Sequence, residues 1–195
     1  AKKGLGFDIV SGGELHRVIK AGGDTSKVVF SGVGKTDEEI EFALKSNIYC
    51  FNVESLGELN RIEVLASTLG LKANISLRVN PEIDAKTHPY ITTGLSDNKF
   101  GISQDDVLST FKMVSNYKSL NLCGIDYHIG SQIVNLNPFI DSAKKVLSLI
   151  NDLKKENVTL SHVDIGGGLG ISYKDEPLIK RRDYVHSVVE VFKDA

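Results

Sequence analysis

Several short stretches of this 195-residue chain carry residue types able to do chemistry. VDIGGGLG, residues 163–170, sets consecutive glycines behind an apolar run. With no Cβ in the way, Gly166, Gly167 and Gly168 let backbone N–H groups approach an anion closely. The stretch is not a dinucleotide fingerprint: with glycines at 166 and 168, the third required glycine falls on Ile171. Spacing alone leaves it open between a phosphate loop and a tight turn with no ligand. DYHIGSQI, residues 126–133, closes a second apolar run. It offers an imidazole at His128, a close-approach position at Gly130 and a hydroxyl at Ser131. SLRVNPEI, residues 76–83, puts Arg78 inside an apolar run, where a charge must be paired or functional. Asp8, in FDIVS, is flanked the same way. If Arg78 is a structural ion pair, Asp8 and Glu14 are its expected partners.

FSGVGKTDEEI, residues 30–40, imitates a nucleotide loop. A P-loop needs a glycine five positions before its Gly-Lys-Thr, and that position is Val29. The stretch is better read as a strand, a glycine turn and a helix starting at Asp37, with Thr36 and Glu39 as a capping box. Phosphate binding is therefore expected elsewhere. No Gly-x-Ser-x-Gly elbow occurs, no spacing of ligand residues matches a metal site, and no metal is expected. His16, His88, His162 and His186 are scattered and read as surface or structural. Cys50 and Cys123 sit in apolar runs, without an evident basic neighbour, and are expected as buried reduced thiols.

These groups must be positioned by the elements around them. Apolar strand-like runs at 7–11, 28–31, 48–53, 74–79, 123–129 and 162–165 alternate with segments whose apolar residues recur every three or four positions. The helical segments are 13–22, 37–46, 58–70, 103–116, 137–157 and 178–192. Such alternation predicts βαβ units on a parallel sheet. Polar and glycine residues follow every strand: Asp8 and Ser11, Ser31, Asn52 and Glu54, Arg78, His128, then Gly166. In a (β/α)8 barrel all of these face one end, where active sites are built. A doubly wound sheet needs them only at a switch point, so the barrel is favoured.

The composition is that of a soluble domain, 41% hydrophobic and 25% charged, with a net charge of −2. It gives no footprint for nucleic acid or an anionic membrane surface. No apolar run reaches the roughly 18–20 residues that cross a bilayer. With reduced cysteines, this fits a cytoplasmic protein. The opening AKKGLG reads as the tail of a helix, so the chain is expected to be an excerpt.

The stretches GFDIVSGGEL, FSGVGKTDEEI, FNVES, LRVNPEIDAKTHPYITTGLSDNKFGI, HIGSQI and VDIGGGLG occur in the order of a known family. Over essentially its whole length the chain resembles the fold type III, alanine racemase-like decarboxylases that use pyridoxal 5'-phosphate (PLP), and among them the diaminopimelate decarboxylase family. The resemblance implies an incomplete TIM barrel, about strands 2–7, occupying residues 1–195. It implies that His128 stacks on the pyridine ring, and that Ser131, Gly166, Gly167 and Gly168 hold the phosphate. Asp8 would lie in the polar shell near the cofactor, with Glu14 and Arg78 behind it. The implied reaction is decarboxylation of meso-diaminopimelate to L-lysine, by a homodimer when full length. The first barrel strand with its cofactor-binding lysine, the last strand and the C-terminal β-domain would lie outside this chain, which is expected to be inactive alone. A related arginine, ornithine or carboxynorspermidine decarboxylase, or a non-catalytic PLP-binding homologue, is the alternative.

Overall fold

In the computed structural model, which describes residues 2–81, 83, 100–173 and 178–193, β1 (Phe7–Ile9), β2 (Val28–Phe30), β3 (Cys50–Val53), β4 (Ala73–Arg78), β5 (Leu120–Asp126) and β6 (His162–Asp164) form one sheet. They are hydrogen-bonded in chain order, and every pairing is parallel. Strict sequential order leaves no switch point, which removes the doubly wound alternative. The sheet also curls. On a flat sheet β3 and β6 would stand about 14 Å apart, three strand spacings of ~4.8 Å. Instead Asn52 Nδ2 on β3 donates to Asp164 Oδ2 on β6 at 3.0 Å. Side chains meeting across two intervening strands define the interior of a partial barrel.

The helices α1 (Gly12–Lys20), α2 (Asp37–Lys45), α3 (Leu56–Leu69), α4 (Gln104–Val114), α5 (Asn137–Lys155) and α6 (Arg181–Phe192) follow the strands in turn. Each lays the apolar stripe seen in the sequence against the sheet: Leu15 and Val18, then Ile40 and Ala43, Leu59 and Ile62, Val107 and Phe111, Phe139 and Val146, and Val188 are all buried. Full burial of one such side chain contributes about 1.5–3 kcal/mol. Four helix starts are capped by Ser11, Thr36, Ser55 and Ser103, each accepting from the backbone N–H three residues on. The cap at Thr36 is the expected capping box, and α2 does start at Asp37.

The boundaries shift where the backbone leaves the sheet. β5 starts at Leu120 and ends at Asp126 rather than spanning 123–129. Beyond Tyr127 the chain swings away toward Gly130, whose φ of 124° turns it into the following loop. His128 therefore lies past the strand end, not on it. THPYITTG lies outside the described residues, as does most of the segment leading to Phe100.

Lys35 is the element of this scaffold that its spacing disguised. Its ammonium is buried and donates to Gly32 O at 2.7 Å, Asn52 O at 2.8 Å and Glu58 Oε1 at 2.6 Å. All three of its donors are used, so Gly34-Lys35-Thr36 has no cation left for a phosphate. Glu58 in turn accepts from the Glu54 N–H at 2.8 Å. The pair ties the loop after β2 to the loop after β3 and the start of α3. Removing one member strands the other as a buried charge. Lys35→Met in the intact protein is expected to lower its unfolding free energy by about 3–5 kcal/mol, with Lys35→Met/Glu58→Leu recovering most of that loss. Urea unfolding of the three proteins measures it; a loss under 1 kcal/mol for the single variant, or no recovery in the double, contradicts the role.

Candidate functional site

The carboxyl ends of the strands converge on a cavity of about 210 Å³ lined by Asp8 on β1 and Val10 just after it, Ser31 and Gly32 just after β2, Arg78 on β4, Asp126 on β5 and His128 past its end, and Asp164 on β6 with Gly166 in the turn that follows. The alternation of the strands brings them there, because residues two apart share a face. Asp8 accepts from the Ser31 hydroxyl at 2.7 Å. Asn52 donates to that same hydroxyl oxygen at 3.1 Å and to Asp164. A continuous polar chain thus runs across the interior from β1 to β6.

Two loops close one side of the cavity, and they are joined to each other. Ile133 N donates to Gly168 O at 3.0 Å and Gly170 N to Ile133 O at 2.9 Å, a short parallel bridge outside the main sheet. The Gln132 side chain extends it, donating to Ile171 O and accepting from Ile171 N. HIGSQI and GGGLG, separate motifs in the sequence, are one structural unit. The glycines are what allow it. Gly166, Gly167 and Gly168 all have positive φ, at 69°, 97° and 96°. A Cβ on Gly168 would collide with the Gly130 carbonyl oxygen, and one on Gly166 with the Tyr127 carbonyl oxygen and the His128 side chain. Gly167 faces open space. Among the described residues, no hydrogen bond uses the Gly168 N–H or the Ser131 hydroxyl.

Arg78 is the cation in the lining. Its Nη1 donates to both oxygens of Glu54, at 2.6 and 2.8 Å, and its Nε lies 3.8 Å from Asp126 Oδ2. The guanidinium also sits 5.8 Å from the Phe100 ring centre. Its partners are thus Glu54 and Asp126, not the expected Asp8 and Glu14. Glu14 is exposed on α1 and accepts from the Val10 N–H at 2.7 Å, so it serves the helix start. Asp8, Asp126 and Asp164 share the lining with Arg78, Glu54 grips it, and burial in this setting shifts the titration of several groups. Burial, reinforced by Asp164, raises Asp126 well above the usual carboxylate range against the opposing pull of Arg78. Burial likewise raises Asp8, with the Ser31 hydroxyl acting against it. Burial, then the charge of Arg78, lowers His128, so its ring is neutral near pH 7.

The structure brings Asp8, Arg78, His128 and Gly166 onto one cavity, and Ser131, Gly167 and Gly168 into the loop pair beside it. Sequence reading missed Asp126 and Asp164. Both stand inside the motifs already singled out, and their alternation with His128 and Gly166 was the available signal. It also missed Cys50, Cys123 and His162, whose ligand atoms come together at the other end of the barrel.

Pyridoxal phosphate fits this lining on two counts. An open-faced glycine turn suits its phosphate, and a flat neutral imidazole suits its ring. Among the described residues the lining contains no lysine, and Lys35 is held by Glu58 and two backbone carbonyls. Fold and site define a pyridoxal-binding barrel, and the chain belongs to the pyridoxal-dependent decarboxylase family, whose pyridoxal binding domain matches residues 1–195. It is similar to diaminopimelate decarboxylase from Vibrio cholerae, with 53% identity over 190 residues, 97% of this chain and 46% of that protein. Among solved structures, it superimposes on diaminopimelate decarboxylase from Helicobacter pylori complexed with L-lysine with a TM-score of 0.92 and 46% identity, covering 96% of this chain and 48% of that one. The M. jannaschii enzyme in co-complex with L-lysine gives 0.90 at 39% identity, covering 100% and 45%. The chain spans about half the length of the curated relatives it matches.

The raised Asp126 carboxyl carries a pH signature. In the folded protein it keeps its proton above the unfolded value of about 3.9, so the native state binds more protons and stability falls as pH rises from there through the folded pKa. Asp126→Asn removes this part of the fall. Unfolding free energies between pH 4 and 8 are expected to decline less steeply in the variant than in the parent; parallel curves contradict the raised Asp126.

Proposed function

We propose that this chain is the cofactor-binding barrel of a PLP-dependent decarboxylase that converts meso-diaminopimelate to L-lysine and CO₂. The observation that carries the reading is the joined loop pair: the glycine turn at 166–168 is fixed against the backbone beside His128 and Ser131, above a cavity containing one arginine and several carboxylates. The relatives that are about half identical to this chain over the matched region support the substrate assignment. The remaining barrel strands and a β-domain would belong to the rest of the protein, which we place in the cytoplasm as a homodimer. No helix among the described residues is long and apolar enough to cross a membrane.

Pyridoxal phosphate, when bound, supplies an electron sink for charge developing at the substrate's α-carbon. The chain's own residues supply position and proton control. Ser131 and the backbone of Gly166 to Gly168 would hold the phosphate through hydroxyl and N–H donors. His128, neutral and braced against Gly166, would present a flat face to the pyridine ring. Asp126, raised by burial, would be available in the lining to take up or give a proton, while Glu54 fixes Arg78 so that its charge stays at one place. Asp8, tied to Ser31, keeps the adjacent wall polar.

The test uses the intact protein and CO₂ release from meso-diaminopimelate. His128→Ala is expected to retain PLP but lose turnover, up to roughly 10²-fold, through misplacement of the ring. Gly168→Ala is expected to weaken PLP binding at least tenfold, because the loops must part to admit the methyl group. Parent-like affinity and rate in both variants would refute the assignment. Turnover of arginine or ornithine instead would move the substrate, and binding without turnover of any would make the protein a non-catalytic PLP binder.

A further inference from the structure

The opposite end of the barrel holds a cluster that the decarboxylase reading does not use. Cys50 at the start of β3, Cys123 on β5 and His162 at the start of β6 place one ligand atom each within 4.8 Å of one another. Cys50 Sγ lies 4.0 Å from His162 Nε2. The interior layer containing Asn52 and Asp164 separates the cluster from the cavity above.

Several features of the backbone serve this meeting. The β4–β5 register passes from Ile75 opposite Leu122 to Ser76 opposite Gly124, leaving Cys123 as the extra residue of a bulge. A bulge re-aims a side chain, and here Cys123 belongs to the interior cluster. At the next residue, a Cβ would collide with the His162 ring, so Gly124 is what leaves the imidazole its place. The Tyr49 oxygen stands 3.2 Å from His162 Nδ1. With Nδ1–H donating to that oxygen, Nε2 turns its lone pair toward the thiols, the arrangement that outer partners impose on metal-bound histidines.

We propose that Cys50, Cys123 and His162 form a binding site for a thiophilic divalent cation of the Zn²⁺ type, clamping β3, β5 and β6 at the amino ends of the strands. Two thiolates and one imidazole are a standard zinc donor set, and the fourth tetrahedral position goes to water. At Zn–S of about 2.3 Å and Zn–N of about 2.0–2.1 Å, ligand atoms stand about 3.5–3.8 Å apart, so the cluster, whose ligand atoms lie within 4.8 Å of one another, needs to contract by about 1.3 Å at most. Thiolate is the ligating form. In the metal-free structure the two thiols donate to backbone carbonyls, Cys50 to Phe51 O at 3.4 Å and Cys123 to Ile75 O at 3.3 Å, so metal binding releases their protons. Cys50 is buried, but Cys123 and His162 are only half-buried and Tyr49 is exposed, which leaves a route of entry.

The experiment uses the intact protein, freed of metal by a chelator, kept reduced and titrated with Co²⁺ and then Zn²⁺. The expected result is one equivalent of Co²⁺ with sulfur-to-cobalt charge-transfer bands and the visible bands of a tetrahedral site, displaced by Zn²⁺. Zn²⁺ should also raise the thermal midpoint. Cys123→Ser and His162→Gln, each checked by circular dichroism, should lose the charge-transfer bands or weaken binding at least 100-fold. Cys50→Ala provides a second thiol variant should Cys123→Ser fail to fold. Folded parent protein that takes up no Co²⁺ with thiolate bands, or uptake unchanged in the folded variants, overturns the site.

Discussion

The backbone of Gly168 passes so close to the Gly130 carbonyl that no side chain fits between them, and the candidate site depends on that contact. It lets Ile133 bridge to Gly168 and Gly170, which locks the loop after β5 to the loop after β6. His128 and the glycine turn are then parts of one rigid wall. A side chain at 168 would need both a left-handed φ and room occupied by another backbone. The triple glycine is thus explained first by loop packing, and an open path for an anion at Gly167 follows from the turn this packing enforces.

Charge inside the barrel is organised around the same end. Arg78 and Lys35 are both buried cations, but they are used differently. Lys35 spends all its donors on two carbonyls and Glu58, fixing loops to one another. Arg78 is gripped by Glu54 through one nitrogen and remains in the cavity lining. Burial favours the uncharged form of each titrating group beside it, raising Asp126 and Asp8 and lowering His128, with Asp164 adding to the rise of both acids and Arg78 to the fall of His128. An interior with acids raised by burial and a neutral imidazole beside a fixed cation suits a site that must place a charged cofactor and manage protons.

The βα alternation was legible because parallel strands covered on both faces are apolar throughout, and because helix faces repeat every three or four residues. The capping box at Thr36 and Glu39 was legible from two residues. Strand ends were less so: Tyr127 and Ile129 are apolar and buried like strand residues, yet the backbone has already left the sheet. The partners of Arg78 were misread because nothing in the sequence ranks Glu54, one strand away, above Asp8. The Cys50, Cys123 and His162 cluster carried no signal at all. Its members lie on different strands, and only the curl of the sheet and a single bulge bring them together.

The central claim is the location of the phosphate. A crystal structure of the intact protein with pyridoxal phosphate bound measures it directly. The account predicts the phosphorus beside Ser131, with its oxygens within hydrogen-bonding distance of backbone N–H groups in the 166–169 turn and the ring against His128. Phosphate density at Gly34-Lys35-Thr36, or a ring lying away from His128, would contradict it.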